Sequence, residues 1–276
     1  MIRIETENDW LLLGHKDHAN LAGEFARHWK NADFAPPEPF VHVLDAVSRH
    51  DDSWADRDAI PLLTPEMNPS AFSKELVGSY DAFEEIDLAE YLGVRGAATE
   101  KAAIRDPFAA VLISMHTVNL LTEQADLTTL SESDRNVHSA FIAGQRSRQE
   151  SLKSDIRSCP DMAPYSSEGH FEAGFRFLQA CDSLSLYVGV AFNERGALRH
   201  PQALRAGGQT TIDFIPCGHH RYELSPYPFD ETELHFDVPY KRVSKTATSS
   251  LEAFQTAYAA ADIEPVRITL AKSTES

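Results

Sequence analysis

Five side chains that can bind a metal ion interrupt the apolar faces of predicted helices. They are His18, His50, Asp51, His116 and Asp182. A histidine on such a face is often a hydrogen-bonded core residue, but a buried ionised aspartate costs several kcal/mol unless a cation or strong donors compensate it. Asp182 lies between the apolar stretches FRFLQAC and SLSLYVGV. Imidazole nitrogen with carboxylate oxygen suits Fe, Mn, Zn, Co or Ni, so we expect one or two divalent transition-metal ions.

The spacing of apolar residues predicts which helices carry these side chains. Apolar residues recur three and four apart after His18, and a second predicted helix places His50 and Asp51 at its inner C-terminal end. Pro107 suits the first position of a helix whose apolar face includes His116. Because separate helices carry the candidate ligands, we expect helix packing to bring them together.

The rest of the chain divides into a loop, two further helical segments and a β-rich end. Residues 60–75 contain three prolines and no period, which predicts a long loop near the site. Residues 81–104 have a weak helical pattern, and residues 132–157 form a polar predicted helix. After about residue 196, alternation in TTIDFIPCG, TELHFDVPYKRV and VRITL predicts strands, with a helix at 250–262 between the last two.

Composition narrows the class of protein and its partners. The chain has 276 residues, of which 42% are hydrophobic, enough for a sizeable core, and three widely spaced cysteines that suit a reducing compartment. The net charge of -17 leaves no basic surface for nucleic acid or anionic lipid. No secretory signal and no apolar run of about 20 residues is present. We therefore expect a cytoplasmic protein with a small-molecule substrate and no nucleic-acid or membrane partner; its oligomeric state is left open.

Other charged stretches permit two interpretations each. Asp52, Asp56 and Asp58 follow the second helix in HDDSWADRDAIP and either face the site or form a solvated helix end. The central glycine and closing glutamate of a calcium loop are missing there. Arg146 lies on the polar helix and either reaches a substrate phosphate or belongs to a solvated face paired with glutamates. The sequence contains no Walker loop, G-x-S-x-G, H-E-x-x-H or C-x-x-C motif.

The order His, His-Asp, Asp over separate helices resembles the HD-domain superfamily of metal-dependent phosphohydrolases. Four blocks, HKDHANLAGEFARHW, AVSRHDDSWADRDAIP, DPFAAVLISMHTVNLL and FLQACDSLSLYVGV, are similar to those of a bacterial family called domain of unknown function 3891. The resemblance covers residues 1 to about 240. It matches His18, rather than His15, to the family's usual first histidine, and it matches Trp54 and Asp58 in the second block.

The resemblance implies a mainly α fold, an HD-domain-like helical bundle with a small C-terminal β-sheet appendage. We expect a single metal-binding domain over residues 1–276. Its helical core would span about 15–193 and its β-rich part about 208–272.

The same resemblance implies a role for each candidate residue. The first metal ion would have four ligands: His18, His50, Asp51 and Asp182. Asp51 would also bridge to a second ion if one is present, and His116 would bind that ion or contact the substrate. Asp52 or His116 would act catalytically by shuttling the proton. The candidates for substrate binding are His15, Trp54, Asp58 and Arg146.

Three functions remain open at this stage. The first is a metal-dependent hydrolase acting on a small phosphorylated or nucleotide-like substrate, because a bound ion lowers the pKa of water toward about 7 and neutralises phosphoryl oxygens. The second is a non-haem diiron oxygenase of the HD type acting on a small polyol or phosphonate, which needs another ligand such as His138 or His170. The third is a non-catalytic protein that binds a metal or a small molecule, with every coordination position filled by side chains.

Overall fold

The computed structural model describes residues 1–77 and 87–274. Part of the helical pattern expected over 81–104 therefore lies outside the described residues. The helices are α1 (His15–His28), α2 (Phe40–Arg49), α3 (Ala55–Ala59), α4 (Leu88–Arg105), α5 (Pro107–Asn119), α6 (Glu132–Ser158), α7 (Glu168–Gly189) and α8 (Leu251–Ala260). The strands are β1 (Ile2–Glu5), β2 (Asp9–Leu13), β3 (Gly196–Ala197), β4 (Gln202–Ala203), β5 (Gln209–Thr210), β6 (Asp213–Pro216), β7 (Arg221–Ser225), β8 (Glu233–Ser244) and β9 (Ile263–Lys272).

Side-chain caps define where the long helices begin. Asp106 accepts a hydrogen bond from the backbone nitrogen of Ala109 at 3.0 Å, and Pro107 occupies the first turn of α5, as its sequence predicted. The hydroxyls of Ser131 and Ser167 cap α6 and α7 in the same way. These caps satisfy backbone donors that would otherwise lack partners at the helix ends.

Helices α1, α2, α5 and α7 pack against one another, and α4 and α6 pack against α5. Small residues let two of these pairs approach closely. A Cβ atom on Gly23 of α1 would lie 2.2 Å from Oγ of Ser48 in α2, and one on Gly174 of α7 would lie 2.9 Å from Cδ1 of Leu112 in α5. The four helices therefore hold their inward-facing side chains in a fixed relation.

A seven-stranded sheet forms the second layer, in the order β1-β2-β8-β9-β7-β6-β3. Its neighbouring strands are antiparallel except for β7 and β9, which run parallel. The N-terminal hairpin joins the C-terminal strands because Trp10 of β2 pairs with Val243 of β8. The hydroxyl of Tyr240 in β8 donates to the carbonyl of Gly189 at 2.9 Å, which ties the sheet to the end of α7.

The expected mainly α fold, an HD-domain-like bundle with a small C-terminal β appendage, is wrong. About 52% of the residues are helical and 20% lie in strands, and the sheet curls into a half-barrel that contains both ends of the described chain. The N-terminal strands were missed because β1 and β2 are only four and five residues long, and because β8, the strand that joins β2 to the rest of the sheet, lies more than 200 residues away. Local patterns carry no information about such pairing.

The principal core lies between the helical layer and the sheet. Phe25 and Trp29 of α1 and Phe177 of α7 are fully buried there, together with Leu270 of β9. No helix in the described part of the chain is both long and apolar enough to cross a membrane.

Candidate metal centre

Five candidate ligands predicted from the sequence converge in the structure. His18 comes from α1, His50 and Asp51 follow the last turn of α2, His116 comes from α5 and Asp182 from α7. All five are buried. Ligand atoms of His18, His50 and Asp51 lie within 4.8 Å of one another, and so do those of His50, His116 and Asp182. These buried histidine and aspartate clusters could hold a metal ion.

His18 is oriented by hydrogen bonds on both ring nitrogens. Its Nε2 lies 2.9 Å from Oδ1 of Asp182, and its Nδ1 lies 2.8 Å from Oγ of Ser185. The Ser185 hydroxyl donates its one hydrogen to the backbone carbonyl of Asp182 at 2.9 Å, so it accepts from Nδ1 of His18. Nδ1 is therefore the donor to Ser185, and Nε2, next to the Asp182 carboxylate, is the ring nitrogen that faces the cluster.

His50 has a similar arrangement, but its Nδ1 donates to a backbone carbonyl instead of a hydroxyl. Its Nδ1 donates to the backbone carbonyl of Val47 at 2.9 Å. Its buried Nε2 lies 3.2 Å from Oδ1 of Asp182 but has no hydrogen-bond partner among the described residues. Metal-binding histidines characteristically donate one ring N–H to a carbonyl or hydroxyl and ligate through the other nitrogen. His18 and His50 both fit this pattern.

Asp51 is paired with a buried arginine. Nη1 of Arg95 donates to Oδ1 of Asp51 at 2.6 Å, and Nε of Arg95 donates to the hydroxyl of Tyr91 at 3.1 Å. The guanidinium also lies over the rings of Trp54 and Tyr91, at 5.4 and 5.3 Å from their centroids. Arg95 therefore occupies one side of Asp51, and the other carboxylate oxygen, 3.8 Å from Nε2 of His50, faces the cluster.

The charges of the cluster are strongly coupled. Burial alone would lower the pKa of His50, but the carboxylates of Asp51 and Asp182 raise it to about 9. Burial would raise the pKa values of both carboxyls. The Arg95 guanidinium instead holds the pKa of Asp51 below its ordinary value, and His18 and His50 hold that of Asp182 well below its own. Without a metal ion, a proton on His50 therefore supplies part of the compensating charge.

His116 lies at the edge of the cluster in a different electrostatic state. Burial lowers the pKa of its imidazole to about 3, so the ring is neutral at neutral pH. The side-chain amide of Gln179 donates to Nδ1 of His116 at 3.3 Å and to Oδ1 of Asn119 at 2.8 Å, and Nε2 of His200 donates to the Gln179 carbonyl oxygen at 2.6 Å. This chain of hydrogen bonds places the proton of neutral His116 on Nε2.

A cavity of about 350 Å³ opens beside the cluster, within the size range of small-molecule sites. Four of the candidate ligands line it: His18, Asp51, His116 and Asp182. Much of the remaining wall is apolar and is formed by Ala71, Phe72, Leu76, Val77, Leu120 and Leu186. These candidate ligands thus face a space that a small molecule can enter.

The family described as "Protein of unknown function (DUF3891)" matches residues 1–245. The chain belongs to this family. The four sequence blocks therefore identified the family correctly, whereas the match does not extend to the HD-domain superfamily. No curated protein and no solved structure matched the chain.

In this DUF3891 protein, two of the predicted substrate-binding residues line the cavity. His15 and Trp54 stack with ring centroids 4.8 Å apart in its wall. Asp58 is buried next to His15, and its Oδ2 accepts from the backbone nitrogen of His15 at 2.6 Å, so it supports the start of α1. Arg146 is exposed on α6, and neither it nor Asp52 belongs to the described cavity wall.

The two histidines considered as further metal ligands, His138 and His170, do not join the cluster. His138 donates from Nε2 to the backbone carbonyl of Leu121 at 2.9 Å, and Nδ1 of His170 lies 2.8 Å from the hydroxyl of Ser167. Neither is among the described residues grouped as metal-binding clusters. No sixth ligand is therefore contributed by these histidines.

Sequence reasoning missed four residues that shape the DUF3891 site. They are Arg95, Gln179, Ser185 and Arg199. The sequence pattern could have identified Arg95. It lies on the buried face of α4 between Tyr91 and Ala98, just as the candidate histidines lie on the apolar faces of their own helices. No sequence pattern could have identified Arg199, because it lies outside the helices and strands and reaches the cavity wall only in the folded chain.

Proposed function

We propose that this protein is a metal-dependent hydrolase that cleaves a phosphate ester of a small substrate. The observation that supports it most directly is Nε2 of His50, a buried nitrogen that makes no hydrogen bond among the described residues although Oδ1 of Asp182 lies 3.2 Å away. Buried polar atoms in native structures almost always have partners. A metal ion that also contacts His18 supplies the missing one.

The donor set fits a divalent transition metal. Two imidazoles have their outer nitrogens held by Ser185 and Val47, and two buried carboxylates contribute oxygen. An ion bound here replaces the proton that His50 carries in the metal-free protein. The cavity beside the cluster leaves space for water or substrate, which distinguishes a catalytic site from a closed structural one.

The buried charges favour one ion rather than two. Asp51 and Asp182 carry two negative charges, and Arg95 already neutralises one of them. A single divalent ion then leaves a net positive charge that an anionic substrate or a hydroxide balances. A second ion bridged by Asp51 would have to share that carboxylate with the Arg95 guanidinium 2.6 Å away. This arrangement supports hydrolysis over two-iron oxygen chemistry.

When bound, the ion supplies a Lewis acid that activates water and polarises a phosphoryl oxygen. The chain positions the reacting groups around it. Arg95 holds Asp51, and Ser185 holds His18. Neutral His116 would donate a hydrogen bond from Nε2 to a substrate oxygen, with Gln179 fixing the tautomer.

Metal content and phosphatase activity of the same preparation test the proposal. We expect one ion per chain and metal-dependent turnover of phosphomonoesters or nucleotides with Mn, Co, Ni, Fe or Zn. His50→Gln and Asp182→Asn should lose both, while His170→Gln, a substitution outside the cluster, should lose neither. Protein that binds no metal, or binds it without turnover across the substrate panel, would contradict the proposal. Two irons per chain with oxygen uptake would favour the oxygenase instead.

A further inference from the structure

One cation in the cavity wall has no partner for its side chain among the residues that the structure describes. Arg199 is half-buried and lines the cavity, yet its guanidinium makes no ion pair or hydrogen bond within residues 1–77 and 87–274. In a chain with a net charge of -17, carboxylates are plentiful. A cavity-facing arginine that pairs with none of the described carboxylates is therefore able to bind an anion from outside.

The other arginines of the cavity wall differ in this respect. Arg57 donates to Glu90 at 2.9 Å, and Arg95 donates to Asp51 at 2.6 Å. Arg146 also lacks a partner within the described residues, but it is exposed on α6 and away from the cavity. Arg199 thus combines two properties, a free guanidinium and a place in the cavity, that Arg57, Arg95 and Arg146 do not.

The backbone of Arg199 is fixed close to the metal cluster. Its nitrogen donates to Oγ of Ser183 at 3.1 Å, and Ser183 directly follows Asp182 in α7. The preceding segment is held as well, because the hydroxyl of Tyr187 donates to the carbonyl of Ala197 at 3.0 Å. Arg199 therefore lines the same cavity as His18, Asp51, His116 and Asp182.

The remaining surface of the cavity limits the substrate further. Aromatic rings of Trp54, Tyr91 and Tyr187 line it together with aliphatic side chains. Such a wall binds an apolar or aromatic body, and a volume of about 350 Å³ admits only a small molecule. The guanidinium fork matches the geometry of phosphate oxygens.

We propose that Arg199 binds the phosphoryl group of the substrate, and that the substrate is a small phosphomonoester with an apolar or aromatic body. This inference rests on the proposed function for the identity of the reaction, but the anion site exists independently of turnover. Arg199 supplies a positive charge and two parallel N–H donors to the phosphoryl oxygens, on the side of the cavity formed by α7 and β3.

Calorimetric titration with phenylphosphonate, a stable mimic of an aromatic phosphomonoester, tests the inference. We expect it to bind more tightly than methylphosphonate and inorganic phosphate. Arg199→Gln should weaken binding of all three by about tenfold or more, because it removes charge-assisted hydrogen bonds. Arg199→Lys should restore part of the affinity, and Arg146→Gln should bind like the wild type. Unchanged melting temperatures would show that Arg199→Gln is folded.

The titrations are run on metal-free and metal-loaded protein, which separates the two proposals. Absence of metal binding would contradict the proposed function, while a loss of phosphonate affinity in metal-free Arg199→Gln would still support the anion site. Wild-type affinity in Arg199→Gln, or no binding of any phosphonate to the wild type, would overturn the inference. Equal affinity for benzoate and phenylphosphonate would overturn the assignment of a phosphoryl group.

Discussion

At the scale of single residues, buried charges determine how the site behaves when no metal is bound. Asp51 and Asp182 remain ionised because Arg95 and the protonated His50 compensate them. Each partner is itself buried, so removing either leaves a charge that water cannot reach. The metal-free protein is therefore sensitive to substitution of these residues and to pH.

Replacement of Arg95 should destabilise the metal-free protein severely. Arg95→Met leaves Asp51 buried without its guanidinium, and we expect the free energy of unfolding to fall by about 3–5 kcal/mol. Urea denaturation of metal-free protein measures the change. Arg146→Met, at an exposed position without a described partner, should change stability by less than about 0.5 kcal/mol. Similar stabilities for the two variants would show that the Asp51 pair contributes little.

The raised pKa of His50 predicts how stability of the metal-free protein depends on pH. Since its pKa is about 9 in the folded state and 6.5 in the unfolded state, its contribution is complete below pH 6.5 and is lost as the pH rises toward 9. Denaturation midpoints measured from pH 6 to pH 9 should therefore fall in the wild type. His50→Gln should flatten this alkaline decline, and a decline of equal size in the variant would refute the assignment.

At the scale of elements, close helix contact positions the candidate ligands. Gly23 lets α1 rest against Ser48 of α2, and these two helices carry His18 and lead into His50. In the sequence, each candidate ligand interrupts the apolar face of a predicted helix, and this shared property was sufficient to assign them to one site. It could not show the tight approach at Gly23, because the neighbour of a glycine becomes visible only when two helices pack.

Alanine substitutions of two helical glycines should have opposite effects. Gly23→Ala places a methyl group against Ser48 and should lower the free energy of unfolding by about 1–3 kcal/mol, with weaker metal binding as α1 and α2 separate. Gly93 is an exposed position of α4 where an added Cβ meets no atom within 4 Å, so Gly93→Ala should raise the free energy of unfolding by up to about 1 kcal/mol. Chemical denaturation of both variants, with metal content measured alongside, provides the comparison. Equal effects at both positions would rule out the close contact.

At the scale of the whole molecule, the sheet supports the helical site. Helix α1 follows directly from β2, and β2 pairs with β8 across the length of the chain. The helices were largely predictable from local periodicity, as Pro107 and the apolar face around His116 illustrate. Only the C-terminal strands of the sheet were predictable. The position of β1 and β2 depends on the pairing of β2 with β8, which is distant in sequence and becomes a neighbour only in the folded chain.

Removal of the C-terminal strands should therefore abolish the site as well as the sheet. A chain ending at residue 195 lacks β8, the partner of β2, and lacks the Tyr240 contact to the end of α7. We expect this truncated protein to lose cooperative thermal unfolding and metal binding. A folded truncated protein that retains one metal ion would show instead that the helical layer is autonomous.

The contact between His18 and Asp182 joins residues 164 positions apart. Closure of so long a loop is entropically costly and slow, so these two groups meet only when most of the chain has already collapsed. An unfolded or partly synthesised chain accordingly holds no preformed ligand set. Under the proposed function, capture of an ion would be a terminal step of maturation, and occupancy of the centre would report that the polypeptide has completed its fold.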